Sequence, residues 1–233
     1  MKTLFIILSF LLLSTVSTVA QQWSVVAEGN YITREKVYPY PTVKEYDIRN
    51  FSYAEDHHFS PSLTLRFQLS KSMTASLRAE FLSDKNTRKM TVASIGKTML
   101  VDAEESIIMI PLELIMLYRL PFSSSDIDFQ LFGGIGFYPA MVNRTIGTIT
   151  STTQSFDDFI NILAGIGMEY YLSSDFSLTW KMIFRDAQSL VTSSFSASEG
   201  IYNGVPVTLG KRDFDTRLQM YGTLFSAGVA WHW

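Results

Sequence analysis

Apolar residues from position 21 onward recur at every second position, which is the spacing of β-strands rather than of helices. Eight such runs stand out: Trp23–Tyr31, Phe59–Leu69, Met73–Leu82, Ile107–Leu120, Ile127–Phe137, Phe159–Leu172, Phe176–Arg185 and Met220–Trp233. Each can supply the roughly 9–11 residues that a tilted strand needs to cross a bilayer. The pattern predicts an all-β protein of eight antiparallel strands.

The two faces of these runs differ in charge. One face carries large apolar residues and no charged residue within the runs. The other face mixes glycine, serine and threonine with charged residues, of which nine are predicted to face the lumen: Glu28, Arg66, Arg78, Glu80, Glu113, Arg119, Glu169, Lys181 and Arg185.

The connections between the runs alternate strictly between long and short. The long connections are Ile32–His58, Ser83–Ser106, Tyr138–Asp158 and Asp186–Gln219, and the short ones are Ser70–Ser72, Pro121–Asp126 and Ser173–Asp175. With an even number of strands, all short turns and both termini then lie at one end of a closed up-and-down barrel.

The alternation alone leaves two barrels open, a soluble lipocalin-like barrel with apolar residues inside and a transmembrane barrel with them outside. The transmembrane barrel is favoured because the residues between the charges are small, mostly glycine and serine, as the crowded interior of an eight-stranded barrel requires. An outward arginine or lysine at mid-bilayer would also cost roughly 2–4 kcal/mol, and none occurs. The lipocalin-like alternative lacks a Gly-x-Trp near the first strand, since Trp23 follows Gln21 and Gln22.

Aromatic residues gather at the strand ends nearest the short turns, as expected of an interfacial girdle at the lipid headgroups. Its predicted members are Trp23, Tyr118, Phe129, Tyr170, Phe176, Trp180, Trp231 and Trp233, and Tyr171 belongs to the same group of strand-end aromatics.

The first twenty residues have the layout of a secretory signal peptide, with one early lysine, a short apolar run and small residues up to Ala20. Cleavage there leaves a single barrel domain, residues 21–233. The alternative is an uncleaved anchor, but the apolar run is short for a spanning helix of about 20 residues.

The net charge of −3 gives no sign of nucleic-acid binding, and the absence of cysteine excludes a disulfide-stabilised fold. An exported chain without crosslinks must be held by a core, by barrel closure or by lipid.

The order of signal peptide, eight strands, short turns, long loops and terminal aromatic resembles the bacterial outer-membrane barrels of the OmpA/OmpX type. Segments such as "IPLELIMLYRLP", "GIGMEYYLSSDFSL" and "FSAGVAWHW" are similar in residue pattern to barrel-domain proteins of Bacteroidetes outer membranes. The resemblance implies an outer-membrane location, surrounding lipids as partners, and insertion by the barrel-assembly machinery through the C-terminal strand. Trp233 departs from the phenylalanine that usually ends such chains.

The charges inside the barrel must be paired, because unpaired buried charges are expensive. We therefore expect the four glutamates to pair with the arginines and Lys181 in a network that plugs the lumen. A path for small solutes is the alternative. At Pro111 we expect a local bulge, because proline removes a hydrogen bond from a central strand.

Any specific partner is expected at the long loops. Thr91–Val101 and Ile201–Gly210 are predicted to form β-hairpins, the second around an Asn203–Gly204 turn. Together they favour a protruding sheet that binds an unknown surface ligand, with simple shielding of the barrel top as an equal alternative.

No motif predicts a catalytic site, cofactor or metal. Gly96–Thr98 lacks the upstream glycine of a phosphate-binding loop, and the glycine-rich "GGIG" lies within a strand. His57 and His58 lack an evident third metal ligand. A lipid-modifying enzyme that uses Ser60 with His57 or His58 is the remaining catalytic alternative.

Overall fold

A computed structural model describes residues 23–33, 35–55, 58–158 and 160–233. Within these residues the elements are β1 (Trp23–Ile32), β2 (Glu35–Tyr38), α1 (Tyr46–Arg49), β3 (Tyr53–Glu55), β4 (His58–Gln68), β5 (Met73–Glu80), β6 (Leu82–Ser94), β7 (Lys97–Met109), β8 (Leu112–Arg119), β9 (Ile127–Phe137), β10 (Ala140–Ile146), β11 (Ile149–Asp158), β12 (Asn161–Tyr171), β13 (Phe176–Phe195), β14 (Glu199–Tyr202), β15 (Val205–Thr208) and β16 (Asp213–His232). The predicted signal peptide, His57 and Phe159 lie outside the described residues. No helix in the described part of the chain is long and apolar enough to cross a membrane.

Eight of these strands form a closed antiparallel ring in the order β1, β4, β5, β8, β9, β12, β13 and β16, with β16 returning to β1. Each strand pairs with its neighbours along the ring, so the predicted eight-stranded up-and-down barrel is confirmed. The closing pair runs from Ser24↔His232 to Ile32↔Leu224.

Serine side chains shape the three short turns at one end of the ring. The Ser70 hydroxyl accepts hydrogen bonds from the backbone N–H groups of Ser72 and Met73, at 3.3 and 3.1 Å. Ser124 and Ser173 accept equivalent pairs of backbone hydrogen bonds in the other two turns. Such bonds fold the backbone locally without a tertiary partner, which is why short serine-rich segments reverse the chain here.

At the opposite end β13 and β16 continue beyond the barrel and, with the strands added to them, form an extension that we call the tall sheet. Strands β13 and β16 are 20 residues each and pair without interruption from Phe176↔Trp231 to Ser194↔Asp213. Strands β14, β15, β6, β7, β10 and β11 extend the sheet from β13, while β2 and β3 extend it from β16. The connections that the sequence presents as long loops are therefore largely sheet.

The apolar side of the wall reverses near Arg185. We call the short-turn end the lower end of the molecule and the opposite end the upper end. Below Arg185 the outward residues of β13 are apolar and exposed, as Trp180 and Phe184 show. Above it the inward residues, including Val191 and Phe195, are the buried apolar ones, and outward Thr192 bonds to Asp215 at 2.8 Å. A wall that is apolar outside below and polar outside above is typical of a barrel that leaves the bilayer at that level.

The bulge expected at Pro111 is absent, so that prediction is wrong. The pairs Ala79↔Leu112 and Leu82↔Met109 keep one register across the proline, and the pairing with β9 and β10 is equally continuous. The Glu80 N–H still donates to the Pro111 carbonyl at 3.0 Å. The proline therefore removes one hydrogen bond and divides the strand into β7 and β8 without inserting a residue.

The buried apolar residues form two clusters, one in the barrel and the lower part of the tall sheet and one near the tips. The first contains, among others, Ile115, Leu117, Phe132, Leu163, Ile183, Leu218 and Leu224, and the second contains Val92, Val101, Ala103, Ile146, Ile149, Phe195, Val207 and Leu209. The tips of the tall sheet thus have a core of their own, whereas the lower part of the sheet shares one apolar cluster with the barrel.

Candidate functional site

The inward charges converge at the centre of the lumen. Arg78 lies between two carboxylates, with Nη1 2.5 Å from Glu113 and Nη2 3.0 Å from Glu80. Arg185 faces the same two groups, 2.8 Å from Glu80 and 3.4 Å from Glu113. The Tyr138 hydroxyl donates to Glu113 at 2.7 Å. This cluster fills the space that a channel would need.

A second pair continues the network on its β1 side. The Lys181 ammonium lies 2.5 Å from one Glu28 oxygen, and Arg78 lies 3.7 Å from the other. The Thr64 hydroxyl donates to Glu28 Oε2 at 3.2 Å, the oxygen that Arg78 approaches only to 3.7 Å. A hydroxyl group of the neighbouring strand β4 therefore supplies the hydrogen bond that the cation does not make. The sequence supplies such hydroxyls because the inward positions between the charges are serine and threonine.

Nearer the short turns, Arg66 pairs with Glu169 at 2.8 Å. Gln130 donates to the same glutamate at 3.0 Å, and Ser177 donates at 2.5 Å. His232 Nε2 lies 3.4 Å from Glu169, which places the penultimate residue of the chain at the lumen mouth.

Arg119 is separate from the four glutamates. Its Nε lies 2.7 Å from Asp128, and its side chain is 40% exposed at the mouth. The Tyr171 hydroxyl also donates to Asp128, at 3.1 Å. The assignment of Tyr171 to the lipid-facing aromatics is therefore wrong, because Tyr171 faces the mouth. Asp128 shares the parity of Gln130 and could have been identified from the alternation.

Apart from the Arg119–Asp128 pair, the lumen network holds four negative and four positive side chains, so its charges balance. The anions are Glu28, Glu80, Glu113 and Glu169, and the cations are Arg66, Arg78, Lys181 and Arg185. All eight side chains are buried. A buried ion pair adds little net stability over an apolar one, but removal of one partner costs about 3–5 kcal/mol. The network therefore fixes the lumen in one arrangement.

Large apolar residues also face the lumen, which the expectation of a small and polar inner face missed. Phe132 and Leu163 are examples. Glycine makes room for them, since a Cβ on Gly165 would lie 2.4 Å from the Phe132 ring. The lumen is thus closed by an apolar layer as well as by charge.

Below the network, the lumen opens to the short-turn end as a polar cavity of about 590 Å³. Arg66, Glu169, Asp128, Arg119 and His232 line it. Arg78 and Glu113 are fully buried above it, so the cavity is closed at its inner end and does not continue through the lumen.

The eight residues of the predicted girdle all lie on the outer surface near the short turns: Trp23, Tyr118, Phe129, Tyr170, Phe176, Trp180, Trp231 and Trp233. Trp231 and Trp233 are in contact, with ring centroids 5.1 Å apart. Trp23 contacts Phe67 at 4.7 Å. Their amphipathic rings suit a headgroup layer at that height.

Both predicted hairpins form at the far end. The β14–β15 hairpin turns at Asn203–Gly204, where both residues have positive φ, so this prediction is confirmed. The β6–β7 hairpin turns at Ile95–Gly96, with φ values of 33° and 73°. A β-branched residue is rare in that conformation, and Ile95 is 80% exposed.

The catalytic alternatives gain no support from the geometry. Ser60 donates its hydroxyl proton to Glu80 and so belongs to the network. Ser177 and Glu169 both contact His232 through Nε2, whereas a catalytic triad needs its serine and carboxylate on opposite ring nitrogens. Within the described residues, no cluster of three or more His, Cys, Asp or Glu side chains is arranged to hold a metal.

Solved structures of bacterial outer-membrane proteins resemble this chain. OprG from Pseudomonas aeruginosa has a TM-score of 0.54 at 12% identity, covering 92% of this chain and 96% of OprG. Neisserial surface protein A has a TM-score of 0.44 at 13% identity, with coverage of 90% and 96%. The outer membrane protein AlkL has a TM-score of 0.44 at 11% identity, with coverage of 91% and 90%.

No protein-family model matches the sequence, and no curated protein matches it. The likeness to OprG shows the fold, a β-barrel of the bacterial outer-membrane type.

Proposed function

We propose that the chain is an integral outer-membrane barrel with a closed lumen, which acts at the cell surface through its tall sheet. The observation that carries the proposal is the full burial of Arg78 and Glu113, whose side chains are 0% exposed in the middle of the lumen. A barrel of eight strands has an interior that side chains can just fill. Binding at its outer end is then a more natural role than transport through it.

The outward apolar face and the girdle support the outer-membrane location. Lipid is the partner of that face, and export through the predicted signal peptide precedes insertion. The barrel-assembly machinery is proposed to engage the C-terminal strand β16, which ends in exposed Trp231 and Trp233.

The surface role is supported by the tall sheet. Its two hairpins present exposed apolar side chains, Ile95 and Leu100 on one and Ile201 on the other. These residues are outside the second core cluster, so the fold does not require them to be apolar. Exposed apolar groups on a rigid sheet are suited to adhesion-type contacts.

Attachment of displaying cells tests this role. Cells that display the wild-type protein are expected to attach to a surface coated with extracellular matrix at several times the level of cells that display a triple variant. The triple variant combines Ile95→Asp, Leu100→Asp and Ile201→Asp. Phe122→Asp is the matched control, because Phe122 is 70% exposed at a short turn of the opposite end. Equal attachment by wild-type, triple-variant and empty cells contradicts the surface role.

A small-solute pore is the second candidate, and the polar cavity at the lumen mouth favours it. That cavity needs the layers above it to open before a solute can cross. Bilayer conductance separates the two candidates.

A further inference from the structure

The polar cavity at the short-turn end holds an arginine whose hydrogen-bonding capacity is only partly used. Arg66 lines this cavity and is 4% exposed. Its Nη1 donates to Glu169 at 2.8 Å, whereas Nε and Nη2 have no hydrogen-bond partner within the described residues. Buried donors are nearly always paired, because an unpaired one is costly. The unused donors of Arg66 therefore point to a ligand that accepts from them.

The two unused donors lie on one edge of the guanidinium. The N–H of Nε and one N–H of Nη2 point in the same direction, because the group is planar. Such a fork matches the two oxygens of a carboxylate or a phosphate. The bond from Nη1 to Glu169 holds the guanidinium from its other side, so the fork is preorganised.

Polar groups of three neighbouring strands share the cavity wall with Arg66. Ser24 on β1 pairs with Arg66 on β4, and Thr74 on β5 pairs with Gln68, two residues further along β4. These four side chains all line the cavity. Two hydroxyl groups and an amide therefore lie on the same wall as the fork and can bind further polar groups of a ligand.

A cation without an ion pair lies at the opening. Lys71 is exposed in the turn between β4 and β5, lines the cavity, and makes no salt bridge with the rest of the described chain. It adds a positive charge on the same side of the opening as β4 and β5. An anion that approaches from the short-turn end meets this charge first.

The carboxylates of the lining are engaged by other groups. They are Asp126, Asp128 and Glu169. Glu169 accepts from Gln130 and Ser177 as well as from Arg66, Asp128 pairs with Arg119 at 2.7 Å, and Asp126 accepts from the Ser125 hydroxyl. Three cations, Arg66, Lys71 and Arg119, balance these three anions. A ligand with one negative charge suits this lining better than one with several.

We propose that this cavity binds a small organic monocarboxylate, whose two oxygens accept from Nε and Nη2 of Arg66. The volume of about 590 Å³ lies within the roughly 300–1,000 Å³ typical of small-molecule sites, so it also holds the organic part of the ligand. Ser24 and Thr74 bind the polar groups of that part. This site lies at the opposite end from the tall sheet and goes beyond the proposed surface role.

Titration of the purified full barrel in detergent micelles with lactate tests the proposal. Lactate is expected to bind saturably. Methyl lactate, an ester of similar shape without the charge, is expected to bind at least about tenfold more weakly. Inorganic phosphate, which carries more than one negative charge near pH 7, is also expected to bind more weakly than lactate.

Arg66→Lys tests the fork itself. The lysine keeps the positive charge beside Glu169 but lacks the two parallel donors, so lactate binding is expected to weaken by about tenfold. Because Arg66 is buried, the variant is first checked for folding by its unheated gel mobility.

Lys71→Gln provides a second variant that does not depend on a buried residue. Loss of the charge at the opening is expected to weaken lactate binding several-fold. Lys97→Gln is the matched control, because Lys97 is an exposed lysine in the β6–β7 turn at the opposite end, and it is expected to leave the affinity unchanged.

Three results overturn the proposal: no binding of lactate by the wild type, equal or tighter binding of methyl lactate or phosphate, or unchanged affinity in the folded cavity variants. The surface role stands in each of these cases, because its residues lie at the other end of the molecule. Its own failure shows separately, as loss of the difference in cell attachment.

Discussion

Trp23 and Trp233 exchange two backbone hydrogen bonds, from the Trp23 N–H to the Trp233 carbonyl at 3.1 Å and from the Trp233 N–H to the Trp23 carbonyl at 3.0 Å. The last residue of the chain is thereby paired with the first residue of β1. A terminal residue is usually mobile unless its backbone is tied down, and here it completes the closing seam of the barrel.

Removal of Trp231–Trp233 is expected to impair barrel assembly. The truncation deletes the closing pairs Val25↔Trp231 and Ser24↔His232 and leaves strand edges unpaired in lipid. The fraction of protein that shows a heat-modifiable gel band measures the effect. Trp233→Phe keeps every backbone group and is expected to assemble normally. Normal assembly of the truncated chain would contradict the role given to this seam.

Replacement of Arg78 by leucine is expected to lower the free energy of unfolding by about 3–5 kcal/mol, because Glu80 and Glu113 lose a buried cation. Urea titration followed by tryptophan fluorescence provides the measurement. Lys85→Ala is the control, because the Lys85–Glu104 pair is exposed and is worth about 0–1 kcal/mol. Equal effects of the two substitutions would argue against a buried network.

Leu114→Arg is expected to destabilise the protein by about 2–4 kcal/mol, since it places a charge on the lipid-facing wall. Leu190→Arg is the matched substitution on the outer face of β13 above Arg185, and its expected effect is within about 0.5 kcal/mol. Unfolding of both variants in lipid vesicles compares the two positions. A similar cost at both would contradict a bilayer boundary near Arg185.

Planar-bilayer recordings of the purified wild type are expected to show no steady conductance. Two layers in series close the lumen, the fully buried Arg78–Glu113 pair and the apolar layer that contains Phe132. A steady, large conductance would contradict the closed lumen and favour the small-solute pore.

Much of the barrel could be predicted from sequence, because its walls separate lipid from a charged interior. Strict parity therefore identifies Glu28 and Arg78 as inward and Trp180 as outward. The pairing of individual charges could not be predicted, since partners such as Arg66 and Glu169 are 103 residues apart. Their contact depends on the register of several intervening strands.

The tall sheet was predicted only in part, because its sidedness is the reverse of the barrel's. Above Arg185 the outer face of the segment Asp186–Ser194 is polar except at Leu190, so the segment lacks the continuous apolar face that identifies the barrel strands. The Asn203–Gly204 turn was evident because it depends on local backbone conformation alone. The hydrogen bonds to Glu105 come from residues of distant segments, Tyr53, Arg88 and Arg144, and no local sequence signal predicts these contacts.

The central claim is that this chain is a folded barrel of the outer membrane, and one gel tests it most directly. The outer-membrane fraction of cells expressing the protein is run with and without boiling. The protein is expected in that fraction, with a band that moves differently when unheated because the closed sheet stays folded in detergent. A soluble periplasmic protein with the same mobility in both lanes would contradict the claim.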